Sequence, residues 1–276
     1  MVTRARAEAP FVLPGAREFA YVARDGAAYS LLIHIPGTPP PAAGFPLIML
    51  VDGRALFAAA VMAMRLQAGR PGVTGVGPAV IVGVGYPGDA LFDVGRRAGD
   101  LLPTAGGADR FLATLLDEIL PWVGRLAPLD ATRRALAGHS FGGLFVLHAL
   151  FARPSALAAF IAGSPSIWRG ASPLRAAETR FIARQDGVRP RLLVTVGGDE
   201  QKRRVDDSPE RAARRIMARM HDNAAELTQR LSASGAATCT FTVFPDENHI
   251  SVIPAMLSRA VAFALGHTRA SGECSP

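Results

Sequence analysis

The feature that most restricts the fold of this 276-residue chain is a set of short apolar runs that do not alternate with polar residues. Phe45 to Val51 reads Phe-Pro-Leu-Ile-Met-Leu-Val, and Pro78 to Val84, Leu157 to Ala162 and Arg191 to Val196 share its character. A run apolar at every position suits a strand buried on both faces, which is the situation in a parallel sheet covered by helices. The segments between the runs have a helical period. Leu56 to Leu66 is one. From Asp109 onward, Phe111, Leu112, Leu115, Leu116, Ile119, Trp122, Val123 and Leu126 fall on one helical face, with Pro121 expected to kink it. Leu144 to Phe151, Ser208 to Leu231 and a last segment ending near Leu265 complete the helices, and Thr238 to Phe244 supplies a final strand.

Strand and helix alternating along the whole length predict a mostly parallel sheet with helices on both faces. Arg17 to Ala23 and Ala27 to Ile35 flank Arg24-Asp25-Gly26, so an antiparallel hairpin is expected at the sheet's start. No repeat or long linker divides the chain. The expectation is a single α/β domain over 1–276, with loose tails at 1–15 and 267–276 and two irregular stretches, 69–77 and 86–108, as cleft walls.

Composition narrows the function classes. Half the residues are hydrophobic (49%) and only 19% charged, enough for a large core. No apolar run approaches the ~18 residues of a membrane span. The first ten residues lack the apolar centre of a signal peptide. A cytoplasmic protein is expected, or a periplasmic one if an export segment has been trimmed. Cys239, in the last strand, and Cys274, in the tail, are poor partners for a disulfide, and no metal-ligand spacing exists. The net charge of +7 is almost all arginine. The arginines are scattered and interleave with no aromatic stripe, which argues against nucleic acid. An anionic small molecule, or an arginine-rich composition with no partner implied, fits the surplus.

The chemistry centres on Gly138-His139-Ser140-Phe141-Gly142. The pattern follows an apolar strand, Arg134 to Ala137, and opens an apolar helix, which is the strand–turn–helix of a nucleophile elbow. Glycines two residues either side of Ser140 remove Cβ atoms that would collide with the neighbouring strand and helix. A serine hydroxyl needs a base near neutral pH. Of six histidines, His249 alone sits in a loop after a late strand and comes last in chain order. His139 is expected to point away from the nucleophile. The acid should follow the strand ending at Val196, where Asp199 and Glu200 both qualify. Asp246 and Glu247 adjoin His249 and could substitute. Oxyanion donors are expected from the Phe141 amide and from Gly53 or Arg54, in the loop after the Phe45–Val51 run.

These residues, with Val51-Asp52-Gly53 and Ser164-Pro165-Ser166-Ile167-Trp168, resemble the esterase-D/enterochelin-esterase branch of α/β-hydrolases, within it the siderophore trilactone esterases that linearise enterobactin and salmochelin. The resemblance runs from about Phe19 to Leu265. It implies an α/β-hydrolase fold, no metal or cofactor, and ester hydrolysis through an acyl-enzyme, on a siderophore or another bulky anionic ester. Related branches place an acid where Glu200 falls, which favours Glu200 over Asp199 as the catalytic acid, whereas some trilactone esterases work with serine and histidine alone. A loop motif resembling Arg-x-x-Asp-Tyr-Thr-Pro, linked in the family to substrate binding, matches Arg97 to Pro103, with Arg96 adjoining and Leu101-Leu102 in place of Tyr-Thr. Arg97, Arg96 and Trp168 are thus the expected substrate contacts. An acyltransferase or serine peptidase on the same fold, or a binding protein that retains it, are the alternatives.

Overall fold

The computed structural model describes residues 10–103, 106–184, 186–203 and 207–266. Most of the expected tails, together with His267 and Cys274, lie outside the described residues. The strands are β1 (Ala16–Val22), β2 (Ala28–His34), β3 (Phe45–Val51), β4 (Val80–Gly85), β5 (Leu129–His139), β6 (Ala159–Gly163), β7 (Arg191–Gly197) and β8 (Thr238–Phe244). The helices are α1 (Gly53–Ala68), α2 (Pro71–Thr74), α3 (Val94–Leu101), α4 (Gly107–Ala113), α5 (Leu120–Gly124), α6 (Phe141–Ala152), α7 (Ala171–Ala183), α8 (Pro209–Ala218), α9 (Met220–Ser234) and α10 (Val252–Leu265).

The eight strands form one sheet in the order β1-β2-β4-β3-β5-β6-β7-β8. The hairpin is antiparallel and so is the β2–β4 pairing, while every pairing from β4 to β8 is parallel. All residues of β3 and β4 are buried, as their unbroken apolar sequence requires. Leu47, Met49 and Val51 face a core that includes Phe111, Phe145 and Leu150. Ile48 and Leu50 face the opposite core, with Phe57 of α1 and Met256 and Val261 of α10. Each large apolar side chain so buried contributes roughly 1.5–3 kcal/mol. The chain leaves β3 for β4 on one side and later returns to β5 on the other. The carboxyl ends of β3 and β5 therefore border the crevice that such a reversal opens.

Among the departures from the sequence expectation, three helical segments each have a local reason. The helix expected from Asp109 passes through a π-helical turn, Thr114–Ile119, before Pro121. Proline has no N–H and its ring crowds the preceding turn, and the wider turn relieves both. The long helix expected over Ser208 to Leu231 is two helices, α8 and α9, broken where Arg219 adopts φ 44°, ψ 43°. The stretch 86–108, expected to be irregular, contains α3, capped by the Asp93 carboxylate accepting from the Arg96 amide.

Candidate active site

Ser140 is the residue between β5 and α6. Its backbone lies at φ 61°, ψ −113°, a conformation that few L-residues adopt. The surroundings enforce it. The Ser140 amide donates to the Gly163 carbonyl of β6 at 2.9 Å, and the Ser140 carbonyl accepts from the Leu144 and Ser166 amides. A Cβ on Gly138 would lie 2.5 Å from the Gly142 main chain, and one on Gly142 would lie 2.7 Å from Val51 Cγ2. Both glycines are therefore required by close approach of the backbone.

His249 follows β8, and its Nε2 is 2.9 Å from Ser140 Oγ. Its Nδ1 is 2.6 Å from Glu200 Oε2. A carboxylate only accepts, so the geometry places the histidine proton on Nδ1 and leaves Nε2 to accept the serine proton. Glu200 is only 3% exposed, and its other oxygen accepts from the Gly197 amide and from Ser164 Oγ. Of the acids left open by the sequence, Asp199, Glu200, Asp246 and Glu247, Glu200 is the one whose carboxylate meets the His249 ring. Asp199 accepts from Lys202 Nζ at 2.9 Å. His139 does not simply point away from the site: its buried ring packs against that of His249 at a tilt of 43°, with centroids 4.6 Å apart. Burial, and secondarily the positive charge His249 can carry, push its pKa down to about 3, so it packs there as a neutral ring.

The expected oxyanion donors are all first-turn amides: Phe141 in α6, and Gly53 and Arg54 in α1. First-turn N–H groups have no acceptor within their own helix and suit a developing anion. The Arg54 side chain pairs with Glu18. The loop into α1 turns at Asp52, at φ 54°, ψ 47°.

The structure uses the two expected substrate arginines differently. Arg97, 9% exposed, forms a bidentate pair with Asp52, Nε at 2.9 Å and Nη2 at 2.7 Å from its carboxylate oxygens. Arg96 lies over the Tyr86 ring and donates to the Ala28 carbonyl. Trp168 is 44% exposed, and the guanidinium of Arg169 lies over both its ring and that of Phe141. Sequence reasoning assigned no role to Ser164, Ser166, Asp52 or Arg169. Ser164 donates to Glu200, and Ser166 Oγ is 3.2 Å from Ser140 Oγ. The Ser-Pro-Ser segment was the available signal for the first two.

A strained serine hydrogen-bonded to a histidine, itself held by a buried carboxylate above a mostly parallel sheet, defines a hydrolase of the α/β-hydrolase fold. Comparison with known proteins narrows this class. The family model Esterase matches residues 25–239. The ferri-bacillibactin esterase BesA of Bacillus subtilis is 35% identical, over 92% of this chain and 91% of that protein. The siderophore triacetylfusarinine C esterase of Aspergillus fumigatus is 34% identical, over 91% and 94%. The structure of siderophore hydrolase EstB from Aspergillus nidulans superposes with a TM-score of 0.86 at 29% identity, covering 96% of this chain and 99% of that one. The chain belongs to the Esterase family and is a carboxylic ester hydrolase.

Proposed function

We propose that the protein hydrolyses ester bonds of a siderophore through an acyl-enzyme on Ser140. The observation that carries the reading is the unbroken hydrogen-bond chain Ser140–His249–Glu200, at 2.9 and 2.6 Å. The substrate class rests on relatives named for bacillibactin, enterobactin and triacetylfusarinine C.

In this mechanism His249 Nε2 takes the proton of Ser140 as Oγ attacks the ester carbonyl. Glu200 holds the imidazole by Nδ1 and stabilises the imidazolium that forms. The amides of Phe141 and of Gly53 or Arg54 donate to the tetrahedral oxyanion. Collapse breaks the C–O bond, and the leaving alkoxide takes the proton from His249. Water then gives a proton to His249 and attacks the acyl-serine. The second tetrahedral intermediate releases the acid, and Ser140 recovers its proton. Trp168 and Arg169, exposed beside Phe141, supply an aromatic and cationic rim for a bulky anionic acyl group.

Chromatography with mass detection of a cyclic siderophore ester, incubated with the protein, tests this. A linear hydroxy acid one water heavier than the cyclic substrate, and monomeric hydroxy acids whose summed mass exceeds the substrate's by one water per ester cleaved, are expected from the wild type and not from Ser140→Ala. Undiminished product with Ser140→Ala would remove the serine mechanism. Cleavage of simple aryl esters with no attack on any siderophore would remove the substrate class alone.

A further inference from the structure

The relay leaves Asp52 and Arg97 without a part, yet they form a buried bidentate pair a few ångströms from the elbow. We propose that this pair is a positioning brace that holds the two oxyanion-donor segments in register with each other. The proposal rests on the serine-esterase reading above and adds to it what keeps the donor amides in place.

The pair touches both segments. Asp52 immediately precedes Gly53, whose backbone is pressed against β4: a Cβ there would lie 2.5 Å from the Gly83 carbonyl carbon. No side chain can anchor the turn at that point, so the Asp52 carboxylate is its nearest handle. Asp52 Oδ2 also lies against the elbow, 3.4 Å from where a Cβ on Gly142 would stand. From the other side, the Arg97 guanidinium lies over the ring of Phe141, 4.9 Å from its centroid, and over that of Phe92 at 5.1 Å. One planar fork thus ties α3 to the turn before α1 and to the first residue of α6. An arginine can do this because its fork is rigid and its faces stack; a lysine has neither property.

Stability alone is a poor reason for such a pair. Burial disfavours the Asp52 charge and raises its pKa, with Arg97 opposing the shift. Buried ion pairs of this kind are frequently no more stabilising than apolar side chains of similar volume. What a bidentate pair adds is fixed geometry, and an oxyanion hole depends on geometry.

The test compares wild type, Arg97→Lys, Arg97→Met, Asp52→Asn and the Asp52→Asn/Arg97→Met double variant. Each is assayed on neutral p-nitrophenyl acetate and on the anionic p-nitrophenyl hemisuccinate, with Tm and fluorophosphonate labelling measured alongside. The brace predicts that kcat falls about 100-fold on both esters in Arg97→Met and Asp52→Asn, with KM within about twofold. Arg97→Lys keeps the charge without the fork and loses about tenfold. In the double variant, removing both charges recovers Tm relative to either single variant but does not recover kcat. Should the single variants fail to fold, the double variant and Arg97→Lys decide. KM rising on the anionic ester alone, with kcat unchanged, would make Arg97 a substrate ligand and overturn the brace. Recovery of kcat together with Tm in the double variant would overturn it too, as a purely structural pair. A wild type that is neither labelled nor active removes the serine-esterase reading itself, an outcome distinct from a labelled, active wild type whose variants match it.

Discussion

The two edges of the sheet are built on opposite terms. Among the described residues, five other than glycine have positive φ, and four of them follow strand ends: Asp52 after β3, Ser140 after β5, Ser164 after β6 and Asp246 close after β8. Three of these place or adjoin the groups of the site, and the fourth shapes the turn that delivers His249. At the opposite edge the left-handed positions near strand starts are glycines, such as Gly44 before β3 and Gly235 before β8, and side chains relieve a helix end. Arg133 donates to the Leu265 carbonyl and Arg191 to that of Phe263, over whose ring it lies at 4.3 Å. Both cations meet the last carbonyls of α10, where the helix leaves acceptors unsatisfied and carries partial negative charge. One edge concentrates strain of order 1–3 kcal/mol per residue to aim functional groups, and the other uses its charges for stability. Substitutions should therefore separate activity from stability according to the edge they fall on.

The largest separation is expected at Ser140. Ser140→Gly should abolish ester turnover, a loss of about 10⁴-fold or more, and raise Tm, because glycine relieves the φ of 61°. A fall in Tm would break the comparison, since it would mean that Ser140 is not strained at a cost to the fold. Next is Glu200→Gln, which keeps the shape but loses the charge facing Nδ1; kcat should fall by about 10²–10⁴ with little change in KM. An unaffected kcat would reduce the site to a serine–histidine dyad.

Proton linkage gives a smaller effect. His139, buried in the site, has a pKa lowered from 6.5 to about 3, so between these values the unfolded chain binds a proton that the folded one does not. Stability is then lost as pH falls through that window, with a slope of about 1.4 kcal/mol per pH unit. Urea unfolding of His139→Met should show that slope reduced by this amount between pH 6 and 4 relative to wild type. Identical slopes would place the His139 ring outside the dry interior. The smallest effect belongs to the far edge. Arg191→Met should cost about 1–2 kcal/mol of stability by denaturant titration and leave kcat on an aryl ester unchanged. A matching loss of kcat would show that the edges are not independent.

The contrast also explains how much was legible in the sequence. The doubly buried strands and the elbow could be read because each is a local pattern, apolar runs in one case and Gly-x-Ser-x-Gly between strand and helix in the other. His249 followed from chain order and its loop. For the acid the residues alone could not separate Asp199 from Glu200, which are adjacent; only the family resemblance favoured Glu200, and the turn after β7 is what faces it to the imidazole. The Asp52–Arg97 pair joins residues 45 positions apart and leaves no local trace. The family motif marked Arg97 as a substrate contact and carries no sign of its pairing with Asp52. The break at Arg219 was equally silent, since an arginine at positive φ has no sequence signature, and β5 was read as too short because Asp130, Thr132 and Arg133 interrupt its apolar character.

The account depends above all on Ser140 carrying the acyl group. Rapid acid quench during turnover of a slowly hydrolysed p-nitrophenyl ester, followed by intact-mass and peptide mass spectrometry, measures this directly. The account predicts an adduct of the acyl mass on the peptide containing Ser140, formed in a burst with nitrophenolate and missing in Ser140→Ala. Steady turnover with the acyl group on another residue, or an undiminished rate in Ser140→Ala, would contradict it.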